Sequence, residues 1–111
     1  MIARMWRGVV RTEKITEYVE IVERTGMSGY RQAPGNVAAQ ILTRDLGDGH
    51  SEIVTLSWWR GLDEIKAFAG EQIEVAKYYP EDDDYLVAPR DETVKHFEVA
   101  PAAGGSGELL P

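Results

Sequence analysis

The chain has 111 residues, no cysteine and a formal net charge of −7 at pH 7. That length suits a single domain that buries a core without staples, and the missing cysteines remove disulfides, thiolate metal sites and cysteine nucleophiles together. The acidic balance disfavours nucleic acid and anionic membrane as main partners, leaving a neutral or apolar small molecule, or another protein.

Residues 2–10 are rich in apolar and β-branched types and read as strand β1. Alternation puts Ile2, Arg4, Trp6 and Gly8 on one face and Ala3, Met5, Arg7 and Val9 on the other. Helix α1 follows: Thr12 is the expected N-cap, and Glu13 favours the first turn. Ile15, Tyr18, Val19 and Val22 recur at helical spacing, and Gly26 is expected to end the helix in a left-handed conformation. Residues 27–36 read as loop or a short helical turn. Residues 36–46 form β2, Gly47-Asp48-Gly49 a tight turn, and residues 51–59 the antiparallel strand β3.

Leu62, Ile65 and Ala69, with Phe68 beside them, mark helix α2, which Gly70 closes. Residues 71–79 resume helical spacing until Pro80 stops them. Residues 81–84 are expected to be a solvated acidic loop, and residues 93–99 the closing strand β4. The segment 101–111, PAAGGSGELLP, is expected to be a flexible tail outside a domain of residues 1–100. Leu109 and Leu110 are the parts of it able to dock on a partner.

The order β-α-β-β-α-β is the ferredoxin-like pattern, an α+β fold with a four-stranded antiparallel sheet and two helices on one face. Val54, Leu56 and Trp58 then occupy the opposite face, which needs its own cover. The economical cover is a second copy, so a homodimer with sheet-to-sheet packing is expected. No apolar run approaches the roughly 18–20 residues that span a bilayer. The opening MIARMWRGVV does not read as a signal peptide, and a cytoplasmic location is expected.

Walker, GxGxxG, HExxH and GxSxG motifs are all missing. Asp45, Asp48 and Glu52 lack calcium-loop spacing, so no metal site is expected. His96, in β4, reads either as a base poised near neutral pH or as a strand histidine bonded to a carbonyl. Trp58 and Trp59 point to opposite faces, one to core and one to interface. A buried indole N–H needs a partner, which a cavity ligand could supply. Tyr18, Tyr30, Tyr78 and Tyr79 offer phenols near Arg4 and Trp6. That set suits an aromatic or polyketide-like acid or phenol.

The run LSWWRGLDEIKAFAG at 56–70, then AKYYPEDD at 76–83 and VKHFEV at 94–99, resembles the antibiotic biosynthesis monooxygenase-like family of the dimeric α/β-barrel superfamily. The opening strand and the APGN before β2 are similar too, so the resemblance covers about residues 1–100. It implies a sheet-to-sheet homodimer with a ligand cavity between sheet and helices. It also implies one of three roles: cofactor-free oxidation of phenolic polyketides, haem degradation, or no known activity. The haem-degrading members use a tryptophan at the end of β3, matched by Trp59. Their β1 asparagine falls near Trp6, and their helical histidine has no counterpart between 60 and 95, so haem degradation is not expected. The expected function is a cofactor-independent monooxygenase acting on a small aromatic molecule. Arg4, Trp59 and His96 would be catalytic, and Trp6, Tyr30, Tyr78 and Phe68 would hold the substrate. The alternatives are a non-catalytic ligand-binding or stress-related homodimer, and an oxygen-independent isomerase or dehydratase.

Overall fold

The computed structural model describes residues 1–87 and 89–101. At its centre, β1 (Ile2–Arg11) pairs along its whole length with β3 (His50–Trp59), from Ile2↔Trp59 to Arg11↔His50. On its other edge it pairs with β4 (Lys95–Glu98). β2 (Asn36–Gly47) pairs with β3, and the antiparallel order is β2-β3-β1-β4. Gly47, Asp48 and Gly49 have φ of 84°, 55° and 77°, the left-handed positions that the Asp-Gly turn supplies. The sheet is thus the expected ferredoxin-like α+β arrangement.

Helix α1 runs as Ile15–Val22, passes through a π turn at Glu23–Met27 and continues as Ser28–Gln32. Gly26 therefore does not end it. The reason lies in the apolar spacing: Tyr18 and Val22 are four apart, but the next buried residue, Met27, is five further on. A π turn absorbs that extra residue and keeps Met27 and Tyr30 on the sheet-facing side. Thr12 does not cap the helix. Its hydroxyl lies 2.8 Å from that of Ser51, and its N–H donates to Gly49 O at 2.8 Å.

Helix α2 is Leu62–Ala69, closed by Gly70 at φ 88°. The expected helical stretch 71–79 is not a helix. Val75 bridges Thr93, Ala76 N–H donates to Glu92 O at 2.9 Å, and Val94 N–H donates to Glu74 O at 2.7 Å. Its backbone groups are satisfied by a neighbouring segment, which outweighs local propensity. The acidic run is a 3₁₀ turn, Pro80–Asp84, rather than a solvated loop, and Asp82 within it is 4 % exposed.

Trp6, Val10, Ile53 and Trp59 from the sheet pack with Tyr18, Val22, Met27, Tyr30 and Ile65 from the helices in one core. Each large side chain so buried contributes about 1.5–3 kcal/mol. The opposite sheet face carries Met5, Val54, Leu56 and Trp58, all partly exposed, with Leu42 and Phe97 about half exposed. Among the described residues no helix is long and apolar enough to cross a membrane. The tail beyond Pro101 lies outside the described residues.

Candidate functional site

A hollow opens between the sheet and α1. β1 supplies Arg4 and Trp6, and β3 supplies Thr55, the residue paired with Trp6. The first half of α1 adds Tyr18 and Val22. The π turn adds Thr25 and Gly26, and the second half adds Tyr30. Phe68 comes from α2; Lys77, Tyr79 and Asp82 come from the segment after it, and Val94 directly precedes β4. The cavity measures about 50 Å³ and opens to solvent. That volume holds water easily but falls short of the ~150 Å³ void that admits a benzene. An aromatic ligand would therefore occupy the mouth as well, or displace its lip.

Arg4 is 2 % exposed. Its Nη1 donates to Ile73 O at 2.6 Å and lies 3.0 Å from His96 Nε2, while Nε has no partner. No carboxylate pairs with it among the described residues. A buried cation with only neutral partners is costly unless something else compensates it.

His96 faces Arg4 across the β1–β4 ladder. Burial first, and the Arg4 guanidinium second, push its pKa below the ordinary histidine value, with Glu74 opposing. Because arginine can only donate, Nε2 is assigned as the acceptor and the ring proton goes to Nδ1. His96 is not part of the hollow's lining; it stands next to Arg4.

Trp59, also expected at the site, is fully buried, and its indole N–H donates to Ser57 Oγ at 2.9 Å. It lies behind the lining, packed edge-on against Tyr30 at 5.9 Å and tilted against Phe68 at 5.3 Å. Trp6 lines the hollow and donates through Nε1 to Tyr78 Oη at 3.2 Å, and Tyr78 in turn bonds Asp91 O. Of the seven expected site residues, Arg4, Trp6, Tyr30 and Phe68 therefore line the hollow. His96, Trp59 and Tyr78 support these lining residues from outside.

Sequence reasoning missed a second charged group of the lining, Asp82, and its bond to Tyr18. Tyr18, 1 % exposed, donates to Asp82 Oδ1 at 2.8 Å, and Asp82 Oδ2 accepts the Tyr79 N–H at 2.7 Å. Burial above all, then the Asp82 carboxylate, raises the Tyr18 phenol beyond the usual range. A signal for Asp82 was present: proline at the first position of a turn with an acid two residues on is a capping pattern.

No protein-family profile matches the sequence, and no curated protein matches it. Solved structures do match the fold. A protein of Nitrosomonas europaea described as an antibiotic biosynthesis monooxygenase aligns with 89 % of this chain and 98 % of its own, at 20 % identity and TM-score 0.58. The monooxygenase from the gene ActVA-Orf6 of Streptomyces coelicolor, in complex with nanaomycin D, aligns with 99 % of this chain and 91 % of its own, at 14 % identity and TM-score 0.54. A variant of MhuD with two manganese protoporphyrin IX bound per active site aligns with 95 % of this chain and 100 % of its own, at 14 % identity and TM-score 0.56. The chain therefore carries the ferredoxin-like α+β fold of the antibiotic biosynthesis monooxygenase structures.

Proposed function

We propose that this protein is a cofactor-independent monooxygenase of a phenolic, polyketide-like aromatic, with Arg4 holding the phenolate. One observation carries the reading. A buried guanidinium with no carboxylate partner among the described residues lines a hollow that Trp6, Tyr30 and Phe68 also line. Such a site favours an aromatic anion over the neutral phenol.

The phenolate is what oxygen requires. Triplet oxygen reacts poorly with closed-shell molecules, but an electron-rich phenolate can pass it one electron. The phenoxyl radical and superoxide then join in a carbon–oxygen bond at the para carbon. Loss of that carbon's proton and cleavage of the oxygen–oxygen bond give the quinone and one water. One oxygen atom enters the ring, the other leaves as water, and the substrate supplies all four electrons. The phenol proton passes to solvent through the open mouth, while His96, outside the lining and with Nε2 accepting from Arg4, holds that guanidinium in place. Trp59 and Tyr78 act through the rings they support.

A metalloporphyrin fits these residues poorly. No imidazole lines the hollow, and His96 Nε2 is engaged by Arg4. The partly exposed apolar face of the sheet supports a homodimer, and the cysteine-free sequence is compatible with a reducing cytoplasm.

The small cavity volume favours a second reading, a non-catalytic homodimer that binds ligand only at its mouth. Oxygen uptake with one- to three-ring phenols decides between them. Uptake by the purified protein, falling at least tenfold in Arg4→Gln, supports the oxygenase. Ligand binding without uptake across the panel refutes it.

A further inference from the structure

The hollow holds two buried charges that do not pair with each other. Arg4 presents donors only, and its partners are a carbonyl and a neutral imidazole. Asp82, also nearly buried, presents acceptors only. Its two oxygens take one hydrogen bond each, from Tyr18 and from the Tyr79 backbone, and no cation pairs with it among the described residues. A carboxylate has room for about four hydrogen bonds, so acceptor capacity is left over. The Tyr18 oxygen, with its hydrogen directed at Asp82, can only accept from a further partner.

The geometry points to Tyr18 and Asp82 as a second binding pole of this hollow, receiving a hydroxyl of an aromatic ligand whose acidic group pairs with Arg4. The ligand class is therefore a hydroxylated aromatic acid or a polyhydroxylated phenol rather than an aromatic with a single polar group. Neither set of groups alone selects that class: Arg4 would accept any aromatic anion, and the acceptor pair would accept any donor. Burial first, and the adjoining carboxylate second, keep Tyr18 protonated and directed at Asp82, so the acceptor pair stays preorganised. This inference deepens the oxygenase reading by naming what the second end of the substrate must carry.

The test is calorimetric titration of benzoate and its three monohydroxy isomers under nitrogen, where no oxidation intervenes. At least one hydroxy isomer is expected to bind roughly tenfold tighter than benzoate, the size of a charge-assisted hydrogen bond. Asp82→Asn and Tyr18→Phe should each cut that ratio towards one, and Arg4→Gln should weaken every probe. If Asp82→Asn fails to fold, Tyr18→Phe reads the same ratio. Equal binding of benzoate and all its hydroxy isomers overturns the proposal. So does equal loss of all probes in the two variants, or no binding to the folded wild type. Oxygen uptake on single phenols is scored separately, so the oxygenase reading can survive failure here.

Discussion

Arg4 and His96 sit opposite each other on neighbouring strands, with Nη1 and Nε2 3.0 Å apart. The bond exists only while the imidazole is neutral. Protonation would remove the acceptor and set two cations side by side, with Glu74 opposing the shift. Because the folded-state pKa is depressed, this stability is present above the ordinary histidine value of 6.5 and is lost as pH falls through the lower folded-state value. The melting temperature is expected to drop as pH falls below about 6.5, and His96→Gln, which keeps an acceptor, should flatten that drop. Melting curves at half-unit pH steps check it. An unchanged slope in the variant would show that other groups dominate.

Tyr18 should keep its proton when ordinary phenols have lost theirs. Ultraviolet titration through the phenol range around 10.0 is expected to give the same phenolate absorbance for wild type and Tyr18→Phe. The variant should nonetheless be about 1–3 kcal/mol less stable, since Asp82 loses a buried donor.

Gly8 is the place where Trp6 folds back over the strand. A Cβ there would lie 2.7 Å from both Trp6 Cη2 and Leu86 Cδ2. Gly8→Ala is expected to cost about 1–3 kcal/mol by overpacking and to push the indole off Tyr78. A red shift or quenching change in tryptophan fluorescence alongside the lost stability would register this.

The outer sheet face makes a prediction about assembly. Leu56 lies mid-strand on that face between Val54 and Trp58. Sedimentation is expected to give about twice 12.4 kDa for the wild type and a monomer for Leu56→Lys, because a buried unpaired charge costs several kcal/mol. A monomeric wild type would remove the homodimer from the proposal.

Gly26 lines the hollow, and a Cβ added there meets nothing within 4 Å. Gly26→Ala should leave the helix intact or stabilise it by up to ~1 kcal/mol, while Gly26→Leu should fill the lip. Loss of probe binding in the leucine variant alone would identify the lip as the ligand's way in. Equal binding in both would move that path elsewhere.

The fold was largely legible because the sheet is written in local signals. The alternation in β1, the Gly47-Asp48-Gly49 turn and the Leu62/Ile65 stripe each have a short-range cause. The site was legible where it rides on those strands, so Arg4 and Trp6 share a face by simple alternation. It was not legible where backbone partners come from far away. Residues 71–79 keep helical spacing of Ile73 and Ala76, yet hydrogen-bond to 92–94. Asp82, read as part of a charge run, is drawn inside by Tyr18, a residue 64 positions earlier. The aromatic pair in YY split the same way: Tyr79 reaches the hollow, while Tyr78 buttresses Trp6.

The π turn in α1 amounts to one surplus residue carried in the middle of a helix. Deleting one of residues 23–26 would bring Val22 and Met27 to a spacing of four, so regular winding returns with Met27 and Tyr30 still facing the sheet. A single codon lost at that spot thus changes the stretch of wall that Thr25 and Gly26 supply, without touching the strands or turning the rest of the helix, giving natural variation and the engineer the same inexpensive dial.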